Sequence, residues 1–197
     1  MPTPSSKPAT YADLEKVPPH LVAEIIHGVL ETHPRPLPRH GIVANALGFE
    51  VTGPFQKGRG GPGGWIFITE PQLHLGPHVL VPDLAGWRRE RMSSLPQHVG
   101  ITISPDWACE ILSPSTAKID REAKLPIYAE YGVGHVWLID PDRRFIDAYC
   151  NVVGKWMLVG TATGDSDVSL PPFDAITFSM SDLFPFDPSS ADAPTKG

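Results

Sequence analysis

The sequence predicts an α/β (α+β) fold, a central sheet with flanking helices. Three observations predict it. Six segments rich in Val, Ile, Trp and Phe suit strands: 65–70, 78–87, 106–112, 135–140, 144–150 and 155–160. Two segments have helix character: 40–51, with apolar residues at 42, 43, 46 and 47, and 115–132, which Ser115 or Thr116 can cap and Gly132 can close. The 23 prolines and 18 glycines among 197 residues favour many turns over long helices. A helix packed beside a sheet with hairpins at its edges is a layered arrangement.

In chain order, residues 1–9 are rich in Pro, Ser and Thr and are expected to be a disordered N-terminus. Thr10 can cap a short helix through about Val17, with Leu14 and Val17 inward, and Pro18-Pro19 ends it. LVAEIIHGVLETH reads as a tight hairpin turning at His27-Gly28. A helix is the competing reading, and a glycine at its middle counts against it. Pro34, Pro36 and Pro38 make an extended arm leading to the 40–51 helix. KGRGGPGG (57–64) is a loop; no Gly-Lys-Ser/Thr follows, so it is not a phosphate cradle. Pro126 predicts a kink or a late start in the second helix. PDRR (141–144) is a turn, which makes 135–150 a hairpin. A closing strand and a short helix reach Leu183, and a soft acidic tail begins at Pro185. The expected organisation is a disordered 1–9, one domain over 10–184, and a flexible tail over 185–197.

Apolar residues make up 41% of the chain, enough for a sizeable core. No apolar run approaches the roughly 18 residues of a membrane span, and MPTPSSKPAT lacks the apolar stretch of a secretory signal. Cys109 and Cys150 are the only cysteines, which excludes a disulfide framework and a four-cysteine zinc site. A reducing cytoplasm is the expected compartment. The net charge of −6 is unevenly spread: residues 165–197 hold six acids against Lys196, and the rest is close to neutral. Nucleic-acid binders usually carry a basic excess, so such binding must rest on local patches. These are Arg88, Arg89 and Arg91; Lys118, Arg121 and Lys124; and Arg143 with Arg144, where a solvated face is at least as good a reading.

Asp83 follows Val81-Pro82 at the end or bend of an apolar strand. Glu110 lies inside DWACEIL, sharing a face with Ala108 and Leu112 while Trp107, Cys109 and Ile111 share the other. Acids within apolar strands are costly unless paired or bound to a cation; the bland alternative is an edge strand with Glu110 in water. Asp120, Lys124 and Tyr128 recur at i, i+4 and i+8 on one helix face. Two carboxylates on neighbouring strands make a hard oxygen site for Mg²⁺ or Mn²⁺. A nearby ammonium can stabilise the charge that develops on a phosphate. Together they are the minimum for metal-assisted phosphodiester hydrolysis. In the hairpin reading Glu24 alternates with Val22 and Ile26 and can face the core; Glu70 is a weaker candidate. His40, at a helix start, can contact phosphate or substrate, or simply pack. Cys109 has no paired histidine and Ser113 and Ser115 no nucleophile elbow, so covalent catalysis is poorly supported. Tyr128 and Trp137 read as core aromatics.

The strings PDLAGW, DWACEILSPST and DREAKLPIYAEYGVGHVWLIDP, with AEIIHGVLE and the His40 before a helix, resemble the Uma2 family, once called a domain of unknown function. The resemblance runs from about Tyr11 to Phe184. It implies a restriction-endonuclease-like fold of the PD-(D/E)xK nuclease superfamily: a central mixed sheet with flanking helices and edge hairpins. By position, Asp83 matches the motif aspartate, Glu110 the strand acid, and Glu24 an N-terminal acid that supports the metal. The superfamily lysine would stand two residues after Glu110, where this chain has Leu112; in Uma2-like sequences it comes from the next helix, here Lys124. The expected function is a Mg²⁺-dependent DNA endonuclease working as a homodimer, since cutting both strands suits two-fold symmetry. Asp83 and Glu110 would be metal ligands, Lys124 the catalytic cation and Glu24 its support, with His40, Arg88 and Arg121 as weaker substrate contacts. RNA or single strands are alternative substrates. A non-catalytic nucleic-acid- or protein-binding module on the same fold is the opposing function.

Overall fold

The strand-forming segments of the middle of the chain join into one mixed sheet. Its order is β10 (Lys155–Thr163), β9 (Phe145–Val152), β8 (His135–Asp140), β7 (Trp107–Ile111), β6 (Leu84–Arg88), β3 (Trp65–Thr69). Neighbours are antiparallel except β7 and β8, which run parallel. A parallel pair needs a crossover connection, and the helix expected over 115–132 supplies it. A second sheet has the order β2 (Val29–Pro34), β1 (Leu21–Ile26), β5 (His78–Leu80), β4 (Leu73–Leu75). A two-stranded ladder, β11 (Asp167–Val168) with β12 (Phe178–Ser179), closes the chain with a 3₁₀ turn at Met180–Leu183. This computed structural model describes residues 7–185; the terminal segments 1–6 and 186–197 lie outside the described residues. Residues 7–9 belong to no helix or strand, and the Ala9 N–H donates to the Gly28 carbonyl.

The hairpin at His27-Gly28 forms as its sequence predicts: both residues have positive φ, 50° and 76°, as a two-residue turn matching the strand twist requires. The segment 78–87, expected as one strand, is two strands in two sheets. Pro82 has no N–H to continue a ladder, and Val81 spends its own N–H on Glu24 Oε1 at 2.7 Å. The chain therefore passes from the small sheet to the large one at Val81-Pro82-Asp83. The three-residue β4 was too short to show a pattern in the sequence.

Helix α1 (Tyr11–Leu14) is shorter than expected, with the N–H and Oγ1 of Thr10 both donating to Asp13 Oδ2. Helix α2 (Pro38–Val51) starts two residues before His40, with Pro38 in the first turn where its missing N–H costs nothing. The second predicted helix is α3 (Ala117–Ile119), a π turn at Asp120–Lys124, and α4 (Leu125–Glu130). Pro126 cannot donate to the carbonyl four residues back, and the helix widens just before it.

The two faces of the large sheet carry separate cores. One packs Val43, Leu47 and Val51 of α2 with Phe173 and Leu183 against Trp107, Cys109, Ile111 and Trp137. The other packs Ile127, Tyr128 and Val133 with the small sheet's Leu73, Leu75 and Leu80 against Ala108, Leu112 and Leu138. The alternation read across DWACEIL is thus the actual division of faces. Glu110 is on a central strand, not an edge, and is 2% exposed.

Candidate active site

A cavity of about 810 Å³ opens where the two sheets meet. Its lining includes Asp83, Glu110, Asp120, Lys124 and His40. Each reaches it from a different part of the chain for a local reason. Asp83 is the last residue of the inter-sheet link. Glu110 is near the end of β7, paired with the parallel β8 at Leu138. Asp120 and Lys124 begin and end the π turn, and both are buried; such turns recur at functional sites. His40 is in the first turn of α2.

Three of the expected residues, Glu24, Glu110 and Lys124, form one contact network with Asp120, centred on Lys124. Its Nζ lies 2.8 Å from Glu110 Oε1, 3.1 Å from Glu24 Oε1 and 3.4 Å from Asp120 Oδ1. It also donates to the Val81 carbonyl at 3.4 Å. Tyr128 Oη donates to Glu110 Oε1 at 2.6 Å, so the residue read as a core aromatic has a polar task. Glu24 reaches the network from β1 and is buried, on the inward face that its alternation allows. Beside the network, Asp83 Oδ1 meets His40 Nε2 at 2.5 Å, and Asp83 Oδ2 accepts the Ile111 N–H at 2.6 Å. His40 Nδ1 is buried without a partner.

Three carboxyl groups around one ammonium leave the cluster short of positive charge. Burial pushes the Glu110 carboxyl well up, Asp120, Asp83 and Glu24 push it the same way, and Lys124 opposes them. Burial also raises Asp120. Glu24 goes the other way: burial opposes its ionisation, but Lys124, His33 and the Val81 N–H outweigh it and hold it low. Lys124 stays charged, since Glu110, Glu24, Tyr128 and Asp120 overcome the burial that would deprotonate it. On the far face, Cys109 is fully buried and its thiol is pushed well up by burial, the opposite of an activated nucleophile.

Arg88 and Arg121 are not brought to the cavity. Arg88 is at the opposite end of β6 from Asp83, with its guanidinium 4.1 Å above the Trp65 ring. Arg121 is half-buried, with its guanidinium 5.9 Å from the Phe145 ring. Glu70 does line the cavity, 3.8 Å from Arg35. Sequence reasoning missed His33, which lines the cavity and approaches Glu24 Oε2 with Nε2 at 3.7 Å. It also missed Asp120 as a third buried acid. The signal for Asp120 was present in its i, i+4 spacing to Lys124; nothing in the sequence marked His33.

A central mixed sheet flanked by helices, with buried acids and a lysine meeting at one end of its middle strands, is the restriction-endonuclease-like architecture. Residues 8–181 match the model of the Uma2 family, described as "Putative restriction endonuclease", and the chain belongs to that family. Among solved structures it is similar to one described as "a putative nuclease belonging to DUF820" from Anabaena variabilis. The two share 24% identity over 90% of this chain and 98% of that one, with a TM-score of 0.69. At that identity the likeness speaks for the fold. No curated protein matches the chain.

Proposed function

We propose that the protein is a Mg²⁺- or Mn²⁺-dependent endonuclease acting on DNA, with its centre at Asp83, Glu110 and Lys124. One observation carries this reading: those three side chains, distant in sequence, line one cavity at the point where two sheets meet. Membership of a nuclease family supports it. The donor set fits a hard divalent cation. Two carboxyl groups come from adjacent ends of neighbouring strands, and burial, reinforced by the acids around it, pushes the Glu110 carboxyl up, a penalty that a bound cation would offset. No group of three or more His, Cys, Asp or Glu stands ready as a metal cage among the described residues. Mg²⁺ suits such a site, since it usually takes one or two carboxylates and fills its shell with water and substrate oxygens. Bound there, the ion would supply a more acidic water and neutralise charge on the phosphate.

The chain's own residues do the rest. The Ile111 N–H and His40 fix both oxygens of Asp83, so its orientation is set before any ligand arrives. Tyr128 and Lys124 fix Glu110. Lys124, braced by Glu24, Asp120 and the Val81 carbonyl, presents a fixed positive charge to developing negative charge on a phosphate. Glu24 therefore acts through Lys124 and through the link that carries Asp83.

Glu110→Gln tests the reading. It should abolish metal-dependent nicking of plasmid DNA while leaving the fold intact. The amide oxygen can still accept from Tyr128 and Lys124, and the buried carboxyl that ionises only at a cost is gone. The sign is fixed by the raised carboxyl. Folded Glu110 keeps a proton that the unfolded chain releases above about 4.5, so wild-type stability falls as pH rises from there through the raised folded value. Without divalent cation, Glu110→Gln should then melt at or above the wild-type temperature at neutral pH. A variant that folds and still cuts like wild type removes Glu110 from the metal site.

A further inference from the structure

The rim of the cavity has the wrong chemistry for the outside of a double helix. Duplex DNA presents about one negative charge per 1.7 Å of axis, and a surface that seats it needs cations around the reacting phosphate. Among the described lining residues the fixed cations are Arg35 and Lys124, against the carboxyls of Glu70, Asp83, Glu110 and Asp120. Lys124 is held by three acids, and Arg35 lies 3.8 Å from Glu70. Two of the surface arginines are spent on acids elsewhere, Arg91 on Asp106 at 2.7 Å and Arg144 on Asp165 at 2.6 Å.

What the mouth does present is apolar. Leu37 and Val99 both line the cavity and are 76% and 71% exposed. Pro18, Pro19, Pro36, Val22 and Ile101 are further apolar residues of the lining. Large aliphatic side chains left in water around a concave site mark a place where something apolar docks. The volume, about 810 Å³, is that of a small-molecule cleft. Bases buried in a duplex cannot use such a wall, whereas unstacked bases can, packing their faces on apolar side chains.

We infer that the cavity takes an unpaired polynucleotide strand, with splayed-out bases against the exposed Leu37 and Val99 and the scissile phosphate at Asp83 and Glu110. This rests on the nuclease reading above and narrows its substrate from DNA in general to single-stranded segments. The acidic floor repels a polyanion by itself, so binding depends on the divalent cation, and affinity comes from base faces more than from phosphate contacts.

The test uses a fluorescein-labelled oligothymidine strand, the same strand annealed to its complement, and the matching oligouridine. Binding is followed by anisotropy in Ca²⁺ and cleavage in Mg²⁺ or Mn²⁺. The unpaired strand should bind at least about tenfold more tightly than the duplex and be cut faster; the uridine arm, which loses the thymine methyl and gains the 2′-hydroxyl, tells whether an RNA strand is also accepted. Leu37→Asp and Val99→Asp, at exposed positions that leave the fold intact, should each weaken strand binding about tenfold. Val153→Asp, at a site 96% exposed on the β9–β10 turn, should not change it. A duplex bound and cut as well as the single strand overturns the inference and leaves the nuclease reading standing. Tight strand binding that the rim variants weaken, with no cutting in either metal, keeps the cavity assignment and overturns the nuclease. Binding of neither form overturns both.

Discussion

Lys124 is the residue on which stability and proposed catalysis meet. A buried ammonium compensating three carboxyls cannot be removed without leaving uncompensated charge, a loss of about 3–5 kcal/mol for a buried pair. Lys124→Ala should therefore melt well below wild type. Below that melting temperature it should cut about 10²-fold more slowly, as expected for losing one well-placed charge at the transition state. Divalent cation should raise its melting temperature more than that of wild type, since the ion takes over part of the lysine's charge and binds only the folded state. Lys118→Ala provides the contrast. That side chain is 83% exposed and lies 3.9 Å from Glu122, so its loss should stay within about 0.5 kcal/mol and leave cutting unchanged. Scanning calorimetry with and without Mg²⁺, beside a cleavage assay, checks all of this. A Lys118→Ala variant that is inactive beside a normal Lys124→Ala would show that the lysine was carried to the wrong position. Asp120 and Lys124 were visible as an i, i+4 pair, but an exposed pair of that kind is worth only a few tenths of a kcal/mol. Their burial makes the difference, and burial is not written in the spacing.

At the scale of elements, the β1–β2 hairpin and the link from β5 to β6 do the positioning. The hairpin carries Glu24, which holds the Val81 N–H, and Val81 begins the link that ends in Asp83. The turn is fixed by residue chemistry. Gly28 has φ +76°, and a Cβ there would come within 3.2 Å of Pro8 Cβ. Gly28→Val should cost about 1–3 kcal/mol for a branched residue forced into that region, while Gly28→Asn, which tolerates it, should cost much less. Thermal melts of the two variants decide this, and equal melting temperatures would show that the turn relaxes instead. Both the hairpin and its turn were legible from Gly28 between two Val/Ile runs. The break at 81–83 was half legible: Pro82 marked a bend, but the transfer between sheets depends on partners far along the chain. His33 stayed hidden because its link to Glu24 is a diagonal across the ladder, with Glu24 opposite Glu31 and His33 opposite Val22.

For the whole molecule, the near-neutral body and the pairing of surface arginines with acids set the electrostatics of any nucleic-acid complex. Few phosphates can be engaged, so log affinity against log salt should be shallow, with a slope of roughly −2 to −5 for about 2–6 contacts. A slope near −10 would mean that a basic surface has been overlooked. No helix among the described residues is long and apolar enough to cross a membrane. The sequence by itself determined the fold class, most strands of the large sheet, the hairpin turn, the two faces of DWACEIL and which acids and lysine to look at. All of these follow from local preference, side-chain alternation and family motif, which act over a few residues. Only the tertiary structure decided that Glu24, Glu110, Asp120 and Lys124 share one buried network and that Asp83 is clamped by His40. Only it showed that Arg88 and Arg121 stand away from the cavity and that its mouth is apolar. Those outcomes depend on sheet order and on a widened helical turn. Both are settled by which distant groups can satisfy one another's charge and hydrogen bonds once water is excluded.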